Sequence, residues 1–261
     1  MPKSMGLVVW ISCLVVVGAQ TRTFEVASIK RNTSGSIAGD GARRVGTQPG
    51  GRFVMVEGTA LVLVRSAYPD AVEVIGAQGW ASTEHYDVEA KANGVATSTE
   101  IEEMLRALLV ERFKLVAHYE MREKPTYSMM PARADGRLGS QLRRFDGDCA
   151  AFADAVRQGR ERPQMPIPSN GAAACGYRIG DSGVVAGGID MPAVARTMQF
   201  YAGQKVIDKT GLPGYYEFTL QMSADVPVFT AIREQLGLKL EPDRASLPVI
   251  VVDHIERPTE N

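Results

Sequence analysis

The sequence predicts an α+β fold built from two related repeats, each of short helices packed on small, mainly antiparallel sheets, with a disulfide-pinned insert joining them. Three observations carry this. The chain says much the same thing twice. Gly51-Arg52-Phe53, a short apolar helical run and Tyr86-Asp87-Val88-Glu89-Ala90-Lys91 are echoed by Gly183-Val184-Val185, a second helical run and Tyr216-Glu217-Phe218-Thr219-Leu220-Gln221. Both echoing strands alternate apolar and polar side chains, the signature of a sheet with one buried and one wet face, hence mainly antiparallel. Each copy then runs into an amphipathic helix and a similar phrase, Arg112-Phe113-Lys114-Leu115 or Gly237-Leu238-Lys239-Leu240.

In chain order, residues 1–19 read as a signal peptide. Lys3 precedes an apolar run at 6–17 that is too short to span a bilayer, and Val17-Gly18-Ala19 suits cleavage, giving a mature start near Gln20. Cys13 as a lipoprotein attachment site is disfavoured, because the apolar run continues past it. The first repeat is placed at 20–131. Residues 24–29 are a strand, 31–51 a loop and 53–56 a strand. Residues 60–68 form a helix with Leu61, Val64 and Tyr68 on one face, ended by Pro69. A strand at 72–75 and a turn at 76–79 lead to the strand at 86–91. Thr99 and Glu102 form a capping box for a helix whose stripe is Ile101, Met104, Leu105, Leu108 and Leu109. Residues 113–120 and 127–131 then read as a hairpin across Glu123-Lys124-Pro125.

Residues 132–182 change character, dominated by Gly, Pro, Arg and Ala, and hold Cys149 and Cys175 with a helix at 150–156. In an exported chain this even cysteine count reads as a disulfide. The second repeat occupies 183–261. It runs through a strand at 184–187, a helix capped by Asp190 with Pro192 in its first turn and Gly203 at its stop, and a strand at 206–207. The alternating Tyr216, Phe218, Leu220 and Met222, a helix at 228–236, and a final strand pair at 238–240 and 249–252 complete it.

Charge excludes one class of partner. Without residues 1–19 the chain loses Lys3 and no acid, leaving 28 Lys and Arg against 30 Asp and Glu, or about −2. With no basic stripe, nucleic acid is not a partner. Gly180-Asp181-Ser182-Gly183 matches the surroundings of a trypsin-like nucleophile over four residues. His118 lacks the neighbours of a trypsin-like base, and a Gly-rich turn is the simpler account. The three histidines, His85, His118 and His254, show no metal-ligand spacing; His118 with Glu120 and Asp253 with His254 read as wet strand ends. Asp208-Lys209-Thr210-Gly211 reads as a turn, and Glu102/Glu103 and Asp87/Glu89 as solvated faces. Trp80 and Tyr86 are either a ligand platform or core anchors. No catalytic, metal or cofactor residue is assigned.

The phrases 24–30, Gly79-Trp80, 86–91, Leu108-Leu109 with 112–115, 206–212, 235–240 and Val252-Asp253-His254-Ile255-Glu256-Arg257-Pro258 carry a resemblance. In order and spacing the chain resembles the soil-associated family of exported bacterial proteins, a domain of unknown function. The chain departs from the family pattern at Tyr68-Pro69-Asp70, in place of Tyr-Gly. The resemblance implies an exported protein, in some members fused to peptidase-type sensors, without established catalytic residues. The second repeat is also similar, more weakly, to the short N-terminal domain of secretins and TonB-dependent receptors, a periplasmic interaction module. Together these readings predict an exported, non-catalytic envelope or extracellular module that recognises a protein or cell-wall partner, with an exposed sheet edge as one means of recognition. Membrane contact would come only through an uncleaved N-terminal segment. The alternatives are a hydrolase with its site between the repeats and a small-ligand binder.

Overall fold

The computed structural model describes residues 22–33, 45–147, 149–158, 175–180, 183–222 and 226–259. Residues 1–19, read from sequence as a signal peptide, and Asp181 and Ser182 of the protease-like phrase lie outside them. The first half runs β1 (Val26–Asn32), β2 (Val45–Gln48), β3 (Arg52–Thr59), α1 (Ala60–Ala67), β4 (Val74–Ile75), α2 (Trp80–Thr83), β5 (His85–Lys91), α3 (Ser98–Phe113) and the long β6 (Val116–Pro131). The second runs β7 (Leu142–Arg144), α4 (Ala150–Arg157), β8 (Gly176–Gly180), β9 (Gly183–Ile189), α5 (Met191–Ala202), β10 (Lys205–Asp208) and β11 (Tyr216–Gln221). It closes with α6 (Val228–Ala231), a π-helical turn Ile232–Leu236, and β12 (Leu238–His254).

The repetition holds at the level of strand pairing. One antiparallel sheet has the order β1-β5-β3-β2 and another β7-β11-β9-β8. Phe53, Met55 and Gly58 face Ala90, Val88 and Tyr86; Val184, Ala186 and Ile189 face Leu220, Phe218 and Tyr216. Both ladders break at the same place. The bulge holds Glu57 at φ 55° in the first half and Gly188 at φ 64° in the second. Glu57 is a non-glycine residue in left-handed backbone, held there by its amide donating to Asp87 Oδ1 at 2.8 Å. Glycine is needed at 188, because a Cβ would run into Cys149 Sγ. Residues 132–182 are thus more than a connection: β7 and β8 take the places in the second sheet that β1 and β2 take in the first.

The third sheet, β10-β6-β12-β4, interlocks the halves. β6 and β12, each ending its own half, run antiparallel along nearly their full length; β4 lies parallel to β12 and β10 parallel to β6. Each half therefore lends a strand to the other's last strand. The two cores follow suit. The first gathers Phe53, Met55, Leu63, Tyr86, Leu105 and Phe113 and is completed by Ile250 and Val252 from β12; the second gathers Met191, Met198, Tyr216 and Phe218 and is completed by Met129 from β6.

Several local expectations need correction. There is no hairpin at 123–125, and 238–240 and 249–252 are not separate strands: β6 and β12 run straight through. Pro125 is tolerated because β10 pairs with β6 only from Thr126 onward, leaving the proline on a free edge without an amide to offer. The capping box is Thr97 with Glu100, two residues earlier than Thr99 with Glu102. Helix α1 buries Ala60, Leu63, Val64 and Ala67, so Leu61 lies beside the buried face and not at its centre. As expected, Asp190 caps α5 by accepting from Ala193 N at 2.8 Å, Gly203 ends it in left-handed backbone, and Cys149 is bonded to Cys175.

Candidate functional site

Most of the polar phrases singled out from sequence serve the fold. Asp208 accepts from the Thr210 amide and hydroxyl, closing a turn, while Lys209 pairs with Asp243 at 2.7 Å. That lysine, with the Ser128 hydroxyl, holds the Asp243 carboxyl far below the usual carboxylate range. Asp87 accepts from Asn32 and from the Glu57 amide, and Glu89 pairs with Arg52. Glu102 faces Arg106 one turn on. Trp80 and Tyr86 are core anchors: their rings meet edge to face at 6.4 Å, and the Arg257 guanidinium lies over the indole at 5.3 Å. Arg257 also grips Glu84 with two nitrogens, the first cause of that carboxyl's lowered pKa.

Two of the histidines are held by carboxylates. His118 Nδ1 lies 2.8 Å from Asp253 and Nε2 3.2 Å from Glu120, on the exposed face of the β6–β12 ribbon. These hydrogen bonds, Asp253 first, raise its pKa. His254 meets Glu256 at 2.8 Å. Among the described residues no group of three His, Cys, Asp or Glu side chains is disposed to hold a metal, and no helix is long and apolar enough to cross a membrane.

A different feature stands out. Along α5 in the second half lies a groove of about 650 Å³, within the range of ligand sites. Its walls include Phe152 of α4, Tyr177 and Ile179 of β8, Phe200 of α5, Tyr215 and the Cys149 end of the disulfide; Arg196 and Asp190 supply charge. Four of these apolar side chains are unusually open to solvent: Tyr177 62%, Ile179 49%, Phe200 72% and Tyr215 61%. Tyr177 and Ile179 stand opposite Ala186 and Val184, so they belong to the apolar face of the sheet; β9's share of that face is buried, while β8's is left bare.

The first half shows that the fold does not require this. The pairing registers match Val45 and Thr47 of β2 to Tyr177 and Ile179 of β8. Counting from the caps, Thr59 and Asp190, Arg65 matches Arg196 and Ser66 matches Thr197; both hydroxyls donate to the carbonyl four residues back, Val62 or Ala193. The next turn differs. Where α5 continues to Phe200, α1 has ended and Pro69 follows. Counted from Tyr86 and Tyr216, His85 stands where the second half has Tyr215. The same sheet and helix are thus built in one half without the exposed aromatics. Sequence reading missed the groove because Tyr177 and Ile179 sat in the segment read as an insert. The available signal was a mismatch between the repeats at otherwise equivalent positions.

No curated protein and no solved structure matches the chain. A family model described as "Protein of unknown function (DUF3738)" matches residues 62–255. The match begins inside α1, runs through both halves and their shared sheet, and takes in every element that forms the groove, so the chain belongs to the DUF3738 family.

Proposed function

We propose that the chain is an exported, non-catalytic binding module whose recognition surface is the groove between β8 and α5. The observation that carries this reading is the asymmetry between the halves. Tyr177, Phe200 and Tyr215 expose apolar surface in one half, where Val45, Pro69 and His85 serve the same backbone in the other. Large exposed apolar patches in a folded chain mark interaction sites, and aromatic side chains are enriched at the centres of interfaces. A location outside the cytoplasm is supported by the Cys149–Cys175 disulfide, because cytosolic thiols are kept reduced. The partner is a protein or cell-wall component.

The test uses the mature oxidised chain and its Phe200→Ala/Tyr215→Ala variant. The apolar anion 1-anilinonaphthalene-8-sulfonate should bind the wild type with a saturable fluorescence gain that the variant loses. A partner recovered from envelope or secreted fractions should be missing on the variant. Equal dye binding and equal recovery by both proteins would overturn the reading, as would turnover in a hydrolase screen.

A further inference from the structure

We propose, building on that reading, that the groove takes an extended peptide that adds as a fifth strand to the free edge of β8, sets alternate apolar side chains among the aromatics and brings a carboxylate to Arg196. Among the described residues β8 is the last strand of its sheet, paired only with β9. An unpaired edge offers a row of amide and carbonyl groups, and folded proteins normally blunt such edges with charge, proline or bulges.

Among the described residues, the other free edges longer than two residues, β2 excepted, carry charge or proline. The part of β6 that lacks a second neighbour carries Glu120, Arg122, Lys124 and Pro125, and the corresponding part of β12 carries Glu241, Pro242, Asp243 and Arg244. β1 has Lys30 and Arg31, and β7 has Arg143 and Arg144. β8 reads Gly176-Tyr177-Arg178-Ile179-Gly180, without proline; its one charge, Arg178, alternates away from the groove, whose face carries two exposed apolar side chains. β2, its counterpart, is uncharged but has only Val45 and Thr47 on that face and no aromatic wall beside it.

Side-chain alternation then fixes what a fifth strand would present. Every second residue of an added strand falls on the face of Tyr177 and Ile179, toward Phe200 and Tyr215, while the intervening residues face away. The charge on the groove is one-sided. Asp190 is committed to capping α5, whereas Arg196 is exposed and makes no ion pair among the described residues. A carboxylate on the ligand, from a side chain or a C-terminus, complements it.

Random heptapeptides displayed on phage, selected against the mature oxidised chain, supply the probes. Selected sequences should carry apolar residues at every second position together with one carboxylate. Substituting Arg196→Gln should weaken a synthetic copy by about tenfold, but leave its amide-for-acid analogue unchanged. Backbone N-methylation, scanned along the peptide, should cost about threefold to tenfold at alternate positions and little between them. That scan alters only the ligand, so it does not depend on how any variant folds. A flat or aperiodic scan, an absence of selected peptides, or an affinity indifferent to Arg196→Gln overturns strand addition, even where Phe200→Ala still abolishes dye binding. Peptides that bind Phe200→Ala/Tyr215→Ala as well as wild type strike instead at the groove itself.

Discussion

Removing the disulfide tests whether the halves are one cooperative unit. Cys149 and Cys175 are 26 positions apart, closing a loop of 27 residues with both ends counted. The chain-entropy relation gives about 3.5 kcal/mol for a loop of that length. Cys149→Ala/Cys175→Ala should therefore lower the urea midpoint by about 1–2 M, taking a slope of about 2–3 kcal/mol per M for a chain of this size. The informative readout lies in the other half. In a chain expressed without residues 1–19 Trp80 is the one tryptophan, and it packs against Tyr86 in the first core. That core is finished by Ile250 and Val252, which belong to the second half. A loss in the second half must thus reach Trp80, and tryptophan fluorescence and far-ultraviolet circular dichroism should shift together in one transition. Two separated transitions, with the Trp80 signal unmoved, would refute the interlocking. A midpoint unchanged by both probes would refute the entropic magnitude.

Three further outcomes are expected. Asp190→Ala removes the acceptor for the Ala193 amide and should cost about 1 kcal/mol in urea unfolding; a cost of several kcal/mol would mean Asp190 does more than cap. Phe218→Ala deletes a ring that is 2% exposed in the second core and should cost about 3–5 kcal/mol, a value that a surface-like change below 1 kcal/mol would contradict. His118, with its folded pKa raised above 6.5 by Asp253 and then Glu120, adds stability that is fully present below that unfolded value and fades as pH rises through the folded one. The unfolding midpoint should fall slightly more between pH 5.5 and 8.5 in wild type than in His118→Asn, and identical pH responses would remove the effect.

Much of the fold was legible from local pattern. Tyr86, Val88 and Ala90, and Tyr216, Phe218 and Leu220, alternate cleanly because one face of each strand is buried, and that regularity exposed the repeat. Asp190, Pro192 and Gly203 bracketed α5 because capping chemistry is local. The long ribbon was not legible. β6 has mostly exposed side chains over residues 116–125, so burial imposes little pattern there, and Glu123-Lys124-Pro125 carries an ordinary turn signal. Its pairing with β12 joins residues more than a hundred positions apart, which no local window sees. The capping box failed for a narrower reason: Thr97-Ser98-Thr99-Glu100-Ile101-Glu102 contains the motif twice, two residues apart, and α3 begins at the first. The candidate site was hidden by the assignment of β7 and β8 to a connection, although Cys149 and Cys175, which frame it, were read correctly.

The exchange of β4 and β10 has a consequence for how such a chain can be divided. A polypeptide holding one unit alone would leave Ile250 and Val252, or Met129, without the strand-bearing neighbour they pack against, and its last long strand would lie bare along one side. Two copies of that polypeptide could meet the same need by clasping each other as the units do here. The present chain is in this sense a two-fold dimer written on a single thread, which left one of its two equivalent flanks free to acquire aromatics while the other kept the architecture unchanged.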